Sequence, residues 1–170
     1  MIHTHELQHL VAGPDPGETP EGIGLVRFDI HCDVDASGVL GRMRDVLRIV
    51  AEKRGVGWPA IDVWRARLPA WFIAAFAPEM TRAEADASVA RWQRLSPAEQ
   101  QREEEESAWS LADWLYWFEP AQRTWSWWDG LVESDQHARI ALAVESWPFP
   151  WGALRWLARA AGARAIEPEK

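Results

Sequence analysis

Apolar residues along this chain switch between two spacings, and the switches mark its elements. In residues 23–30 (IGLVRFDI), Val26, Phe28 and Ile30 alternate with Arg27 and Asp29, the two-residue period of a strand with one buried face. HCDVDASG then turns the chain, and Ser37 is placed to cap a helix over residues 38–54. Leu40, Met43, Leu47 and Val50 recur in it at three- or four-residue spacing, and Gly55 and Gly57 end it. Residues 61–76 carry Trp64, Leu68, Trp71, Phe72 and Ala75 at helical spacing, with Pro69 starting a new helix or kinking one. Thr81-Arg-Ala-Glu84 is a capping-box pattern that opens a helix to Leu95. Ser96-Pro-Ala-Glu99 repeats it with proline at the favoured first position, and opens a helix expected to run to Phe118.

The last third returns to the shorter period. Residues 124–133 (TWSWWDGLVE) and 139–146 (RIALAVES) read as two strands joined by the short polar segment 134–137. Ile140, Leu142 and Val144 form the inner face of the second. Pro148-Phe-Pro150 leads into a helix ending near Ala161, with Leu154 and Leu157 on its stripe, and residues 163–167 form a last short strand. The order is strand, helix, helical block, strand, strand, helix, strand. With the block set aside this is the βαββαβ order of a ferredoxin-like sandwich. The expected architecture is therefore α+β, with an all-α insertion over residues 58–120 between the first helix and the second strand. Residues 23–170 make a single domain. Residues 1–22 make an N-terminal arm, an edge strand or a loosely held segment, joined through the Pro- and Gly-rich stretch GPDPGETPEG.

Composition narrows the class of function. The chain has 170 residues, 48% of them hydrophobic and 26% charged, which suits a folded domain. Its formal net charge of -8 repels phosphate backbones, so no nucleic-acid partner is expected. Cys32 stands alone and cannot make an internal disulfide. The first ten residues lack the basic start and apolar stretch of a secretory signal. The longest apolar run, residues 70–77, falls far short of the roughly 20 residues that span a bilayer. A cytoplasmic location and no membrane partner are expected.

Few residues combine into chemistry. His31, Asp33 and Asp35 are metal-ligand types close together, and Asp33 to Gly38 imitates the first half of a calcium loop. Arg44 then occupies the position where that loop needs a bidentate glutamate, so helix capping is the stronger reading of these side chains. His3, His5 and His9 form a second histidine cluster, suited to adventitious surface binding of zinc or nickel. Glu103 to Glu106 fan out around a helix by about 100 degrees per residue and cannot converge on one substrate. The nucleophile elbow, phosphate loop, zinc-protease helix motif and dinucleotide fingerprint are all missing from the sequence. No cofactor is expected.

The oddity that remains is aromatic: 13 tryptophans against 1 tyrosine. They concentrate in Trp109, Trp114, Trp117, Trp125, Trp127 and Trp128, with Tyr116 and Phe118 among them. The plain reading is a core joining the insertion to the sheet. The functional reading is a pocket walled by Trp114, Trp117, Trp125, Trp127 and Trp128, with Asp113, Glu119, Arg123 and Asp129 as polar handles. Negative charge, absent catalytic motifs and surplus tryptophan point to a non-catalytic acidic protein that binds a basic protein partner, as an immunity protein or antitoxin does. The alternative is a small-molecule-binding protein or enzyme using a Trp-lined pocket between the sheet and the insertion. A homodimer covering the aromatic surface is a third arrangement.

Overall fold

A computed structural model describes residues 3, 5–53 and 57–170. The expected end of the first helix at Arg54, its stop at Gly55 and the Ile2 end of the arm lie outside these residues. The fold is mixed α+β and rests on one antiparallel sheet of β1 (Gly24–His31), β2 (Trp125–Ser134), β3 (His137–Val144) and β4 (Ala165–Pro168), in the order β2-β3-β1-β4. The segments around Ile23 and Ile140 thus share a sheet, with Phe28 opposite Ile140 and Val26 opposite Leu142.

Alternation along these strands divides the sheet. Phe28, Ile30, Ile140, Leu142, Val144, Trp125 and Trp127 belong to the core, while Arg27, Asp29, His31, His137 and Arg139 point the other way. Against the core face lie α2 (Ala36–Glu52), which follows β1, and α8 (Gly152–Ala160), which follows β3. Val39, Leu40, Met43, Val46, Leu47 and Val50 form the buried stripe of α2, and Leu154, Leu157 and Ala158 that of α8. Between α2 and β2 come α3 (Ile61–Arg67), α4 (Ala70–Ile73), α5 (Arg82–Gln93), α6 (Pro97–Glu106) and α7 (Leu111–Tyr116).

Three local expectations are corrected. The cap of α2 is Asp35, whose carboxylate accepts from the Gly38 N–H, rather than Ser37. Of the two alternatives at Pro69, the structure takes the first: a new helix, α4, starts after it, because the ring disfavours the helical conformation at Leu68, which is extended at ψ 148°. The helix expected over 96–118 is two helices. Ser107 leaves α6 in an extended conformation, and Ser110 starts α7 by accepting from the Asp113 N–H. The third correction concerns the N-terminal segment.

That segment is neither an edge strand nor a loose arm. Residues Glu6–Ala12 form α1, with Glu6, His9 and Leu10 buried. The Glu6 carboxylate accepts two bonds from the Arg123 guanidinium, at 2.5 and 2.7 Å, and a third from the Trp127 backbone N–H at 2.8 Å. His9 Nδ1 lies 3.3 Å from the Trp127 carbonyl, and its Nε2 lies 2.9 Å from Glu18. Helix α1 therefore supplies side-chain partners to both peptide groups of a residue on the sheet's edge strand, which protects that edge from pairing elsewhere. No helix among the described residues is long and apolar enough to cross a membrane.

Candidate functional site

The aromatic side chains expected to wall one pocket divide into two groups. Trp114, Trp125 and Trp127 are fully buried. The Trp114 indole lies 4.1 Å from Phe118 and 4.8 Å from Phe72, and donates to the Ala153 carbonyl at 3.0 Å. Trp127 covers Gly130, where an added Cβ would come within 2.7 Å of the indole, so glycine is needed there. A bulge between Trp127 and Asp129 interrupts β2, and Trp128 packs edge-on against His9 at 4.6 Å. These are core contacts.

The expected polar handles are also dispersed. Arg123 is buried in its pair with Glu6, and its guanidinium lies over Trp125 at 4.6 Å and Phe118 at 5.0 Å. The Asp129 carboxylate accepts from the neighbouring Gly130 N–H. Glu119, just past α7, takes the Gln122 and Arg123 N–H groups on its backbone carbonyl. The pocket expected between sheet and insertion is therefore not formed by these nine residues. Trp128 and the exposed Asp129 line a shallow space on the sheet, whereas Asp113 and Trp117 line a different one.

That space is a cleft of about 640 Å³ between the end of α6, helix α7, the segment before α8 and the first turn of α8. Trp109, Tyr116, Trp117, Phe149 and Trp151 supply its aromatic walls, and Glu104, Ser107, Asp113 and Arg155 its polar groups. Phe149 and Trp151 rest on Phe28, at 6.2 and 5.1 Å, which anchors that wall to the sheet. Tyr116 is 45% exposed, so the cleft stands open to solvent. Trp109, Tyr116, Trp151 and Arg155 lie outside the set expected from sequence. One signal was available: Asp113, Tyr116 and Trp117 stand at i, i+3 and i+4, on one helical face.

Helix α6 lines this cleft through Glu104, while α5 reaches it only by pairing with α6, and neither helix has a buried residue. Arg91 pairs with Glu103, which holds the Glu103 carboxyl below its ordinary range, and Gln100 bonds the Trp92 carbonyl at 3.0 Å. Arg159 of α8 donates to the Glu105 carbonyl and ties the end of α6 to the body. Helix α6 is polar all round, as suits a helix lying in solvent, whereas α5 leaves Val89 exposed.

The metal-ligand types are engaged separately. His31 stacks on His137 at 5.4 Å, Asp35 caps α2, and Asp33 lies 3.7 Å from Arg164. A Cβ at Gly38 would collide with the Asp35 carboxylate, so the cap itself accounts for the glycine of the calcium-like pattern. His9 turns inward to Glu18 and Trp127, with the His5 ring 6.3 Å from its own. Among the described residues no three His, Cys, Asp or Glu side chains are placed to share an ion. Burial pushes the Cys32 thiol up, and the Asp35 and Asp33 carboxylates add to this, so the thiolate nucleophile is disfavoured.

On the outer sheet face, Asp29 accepts from His137 at 2.8 Å and from Arg139 at 3.3 Å. Burial opposes its ionisation, but these hydrogen bonds prevail and hold the carboxyl below its ordinary range. Comparison with known proteins finds no family model, curated protein or solved structure that matches the chain.

Proposed function

We propose that this is a non-catalytic binding protein whose partner is a basic protein, in the manner of an immunity protein or antitoxin. Its frame, on this reading, is a ferredoxin-like sandwich carrying a helical insertion. Support for the frame comes from the strand order β2-β3-β1-β4, with a helix following each of the two central strands. The observation that carries the functional reading is the open aromatic cleft flanked by Glu104 and Asp113, with one side lined by α6, a helix that has no buried residue. Aromatic anchors with a charged rim are the usual makings of a protein interface. The chain's net charge of -8 sets the sign of the partner.

Calorimetric titration of the intact chain with an arginine-rich peptide and a glutamate-rich peptide tests this. The arginine-rich peptide binds at low salt and more weakly at high salt, while the glutamate-rich one does not bind. Binding of neither, or of the acidic one alone, contradicts the proposal. The second reading is a small-molecule site, favoured by the cleft's volume, which falls in the range such ligands occupy. Native mass spectrometry of protein purified gently from its host separates the two. A retained mass of a few hundred daltons supports the ligand reading, and a doubled mass supports a self-covering dimer.

A further inference from the structure

The lining of the cleft has a chemistry more specific than apolar burial. The rings of Tyr116 and Trp117 lie 5.3 Å apart at 82°, so they form a corner and not a stack. Asp113 stands one helical turn before them on the same face, and Glu104 adds a second carboxylate from α6. Ring faces are electron-rich, and perpendicular rings beside a carboxylate attract a cation from two directions at once. On the opposite wall, Arg155 already seats its guanidinium over Trp151, with Cζ 4.4 Å from the ring centroid. Among the described residues no cation lies over Trp109, Tyr116 or Trp117. The charge on Arg155 repels a second cation from its own wall and leaves the Tyr116–Trp117 corner as the favourable seat.

The geometry points to a cation-reading site, in which the Tyr116–Trp117 corner and Asp113 take the guanidinium or ammonium group of an arginine or lysine side chain on the partner protein. This rests on the basic-partner reading above and locates its anchor. The occupant is a protein side chain because the site is open, carries two carboxylates against one guanidinium, and sits on a chain of net charge -8.

The test uses the intact chain and a blocked peptide of alternating arginine and glycine. Asp113→Asn weakens binding by about tenfold, as does Trp117→Ala. Asp86→Asn, on the exposed surface of α5 and outside the cleft's lining, removes the same charge and leaves affinity nearly unchanged. Asp113 is exposed, so its variant tests the site even where Trp117→Ala disturbs packing. Equal weakening by Asp113→Asn and Asp86→Asn overturns the cleft assignment while leaving a basic partner in place. Failure of the peptide to bind the unaltered chain overturns both.

Discussion

Glu6 and Arg123 are 117 residues apart in sequence and meet with side chains that are 0% and 1% exposed. Bringing two charges out of water is costly, and here three hydrogen bonds to one carboxylate offset that cost. Removing one partner leaves the other charge buried. Glu6→Ala is expected to lower the unfolding free energy by about 3–5 kcal/mol, measured by urea denaturation. A loss below about 1 kcal/mol would show that the pair is solvated in solution. Trp114 and Trp117 provide a second contrast. Trp114→Ala empties a fully buried site and is expected to cost about 3–5 kcal/mol, whereas Trp117→Ala, at a half-buried position on the cleft, costs clearly less. Similar losses in thermal and chemical unfolding would mean that the cleft is part of the core. Asp29 carries a pH dependence. Its folded carboxyl titrates below that of the unfolded chain, so its contribution is complete above the unfolded value and disappears as pH falls through the folded one. Acid unfolding of Asp29→Asn is therefore shallower than that of the natural chain below about pH 4. Identical acid profiles would remove the role assigned to His137 and Arg139.

Elements with a strong period or a cap were legible in sequence, and those fixed by distant contacts were not. Ser96-Pro-Ala-Glu99 forms the expected capping box, with both reciprocal hydrogen bonds present. Ser96→Ala is expected to remove about 1 kcal/mol locally. Hydrogen exchange should quicken in the first turn of α6 with little change in the global melting midpoint, since no residue of α6 is buried. A drop of many degrees would place α6 in the cooperative core. The break between α6 and α7 had its own signal, because Ser110-Leu-Ala-Asp113 is a second cap in the middle of a helical pattern. A continuous helix would also have denied Ala77 its bond to the Trp109 carbonyl, a contact 32 residues away that no local pattern announces. Helix α1 was illegible for the same reason. Its short sequence is stabilised by Arg123 and Trp127, far along the chain, rather than by its own propensity.

At the scale of the molecule, one residue type serves two purposes. Trp64, Trp114, Trp125 and Trp127 fill the interior, where large rings bury most apolar area per residue. Trp109, Trp117 and Trp151 line the cleft, half-buried, with a charged rim. Spacing along α7 alone could not assign Trp114 to one group and Trp117 to the other, since both lie on the same aromatic stripe. Packing of Phe72, Phe76 and α8 over Trp114 makes the difference. The indole N–H signals of the 13 tryptophans make this division directly observable by nuclear magnetic resonance. On titration with an arginine-rich peptide, the signals of Trp109, Trp117 and Trp151 are predicted to move together while those of Trp114, Trp125 and Trp127 stay in place. Shifts confined to the buried group, or a peptide that binds without moving the cleft signals, would contradict the account.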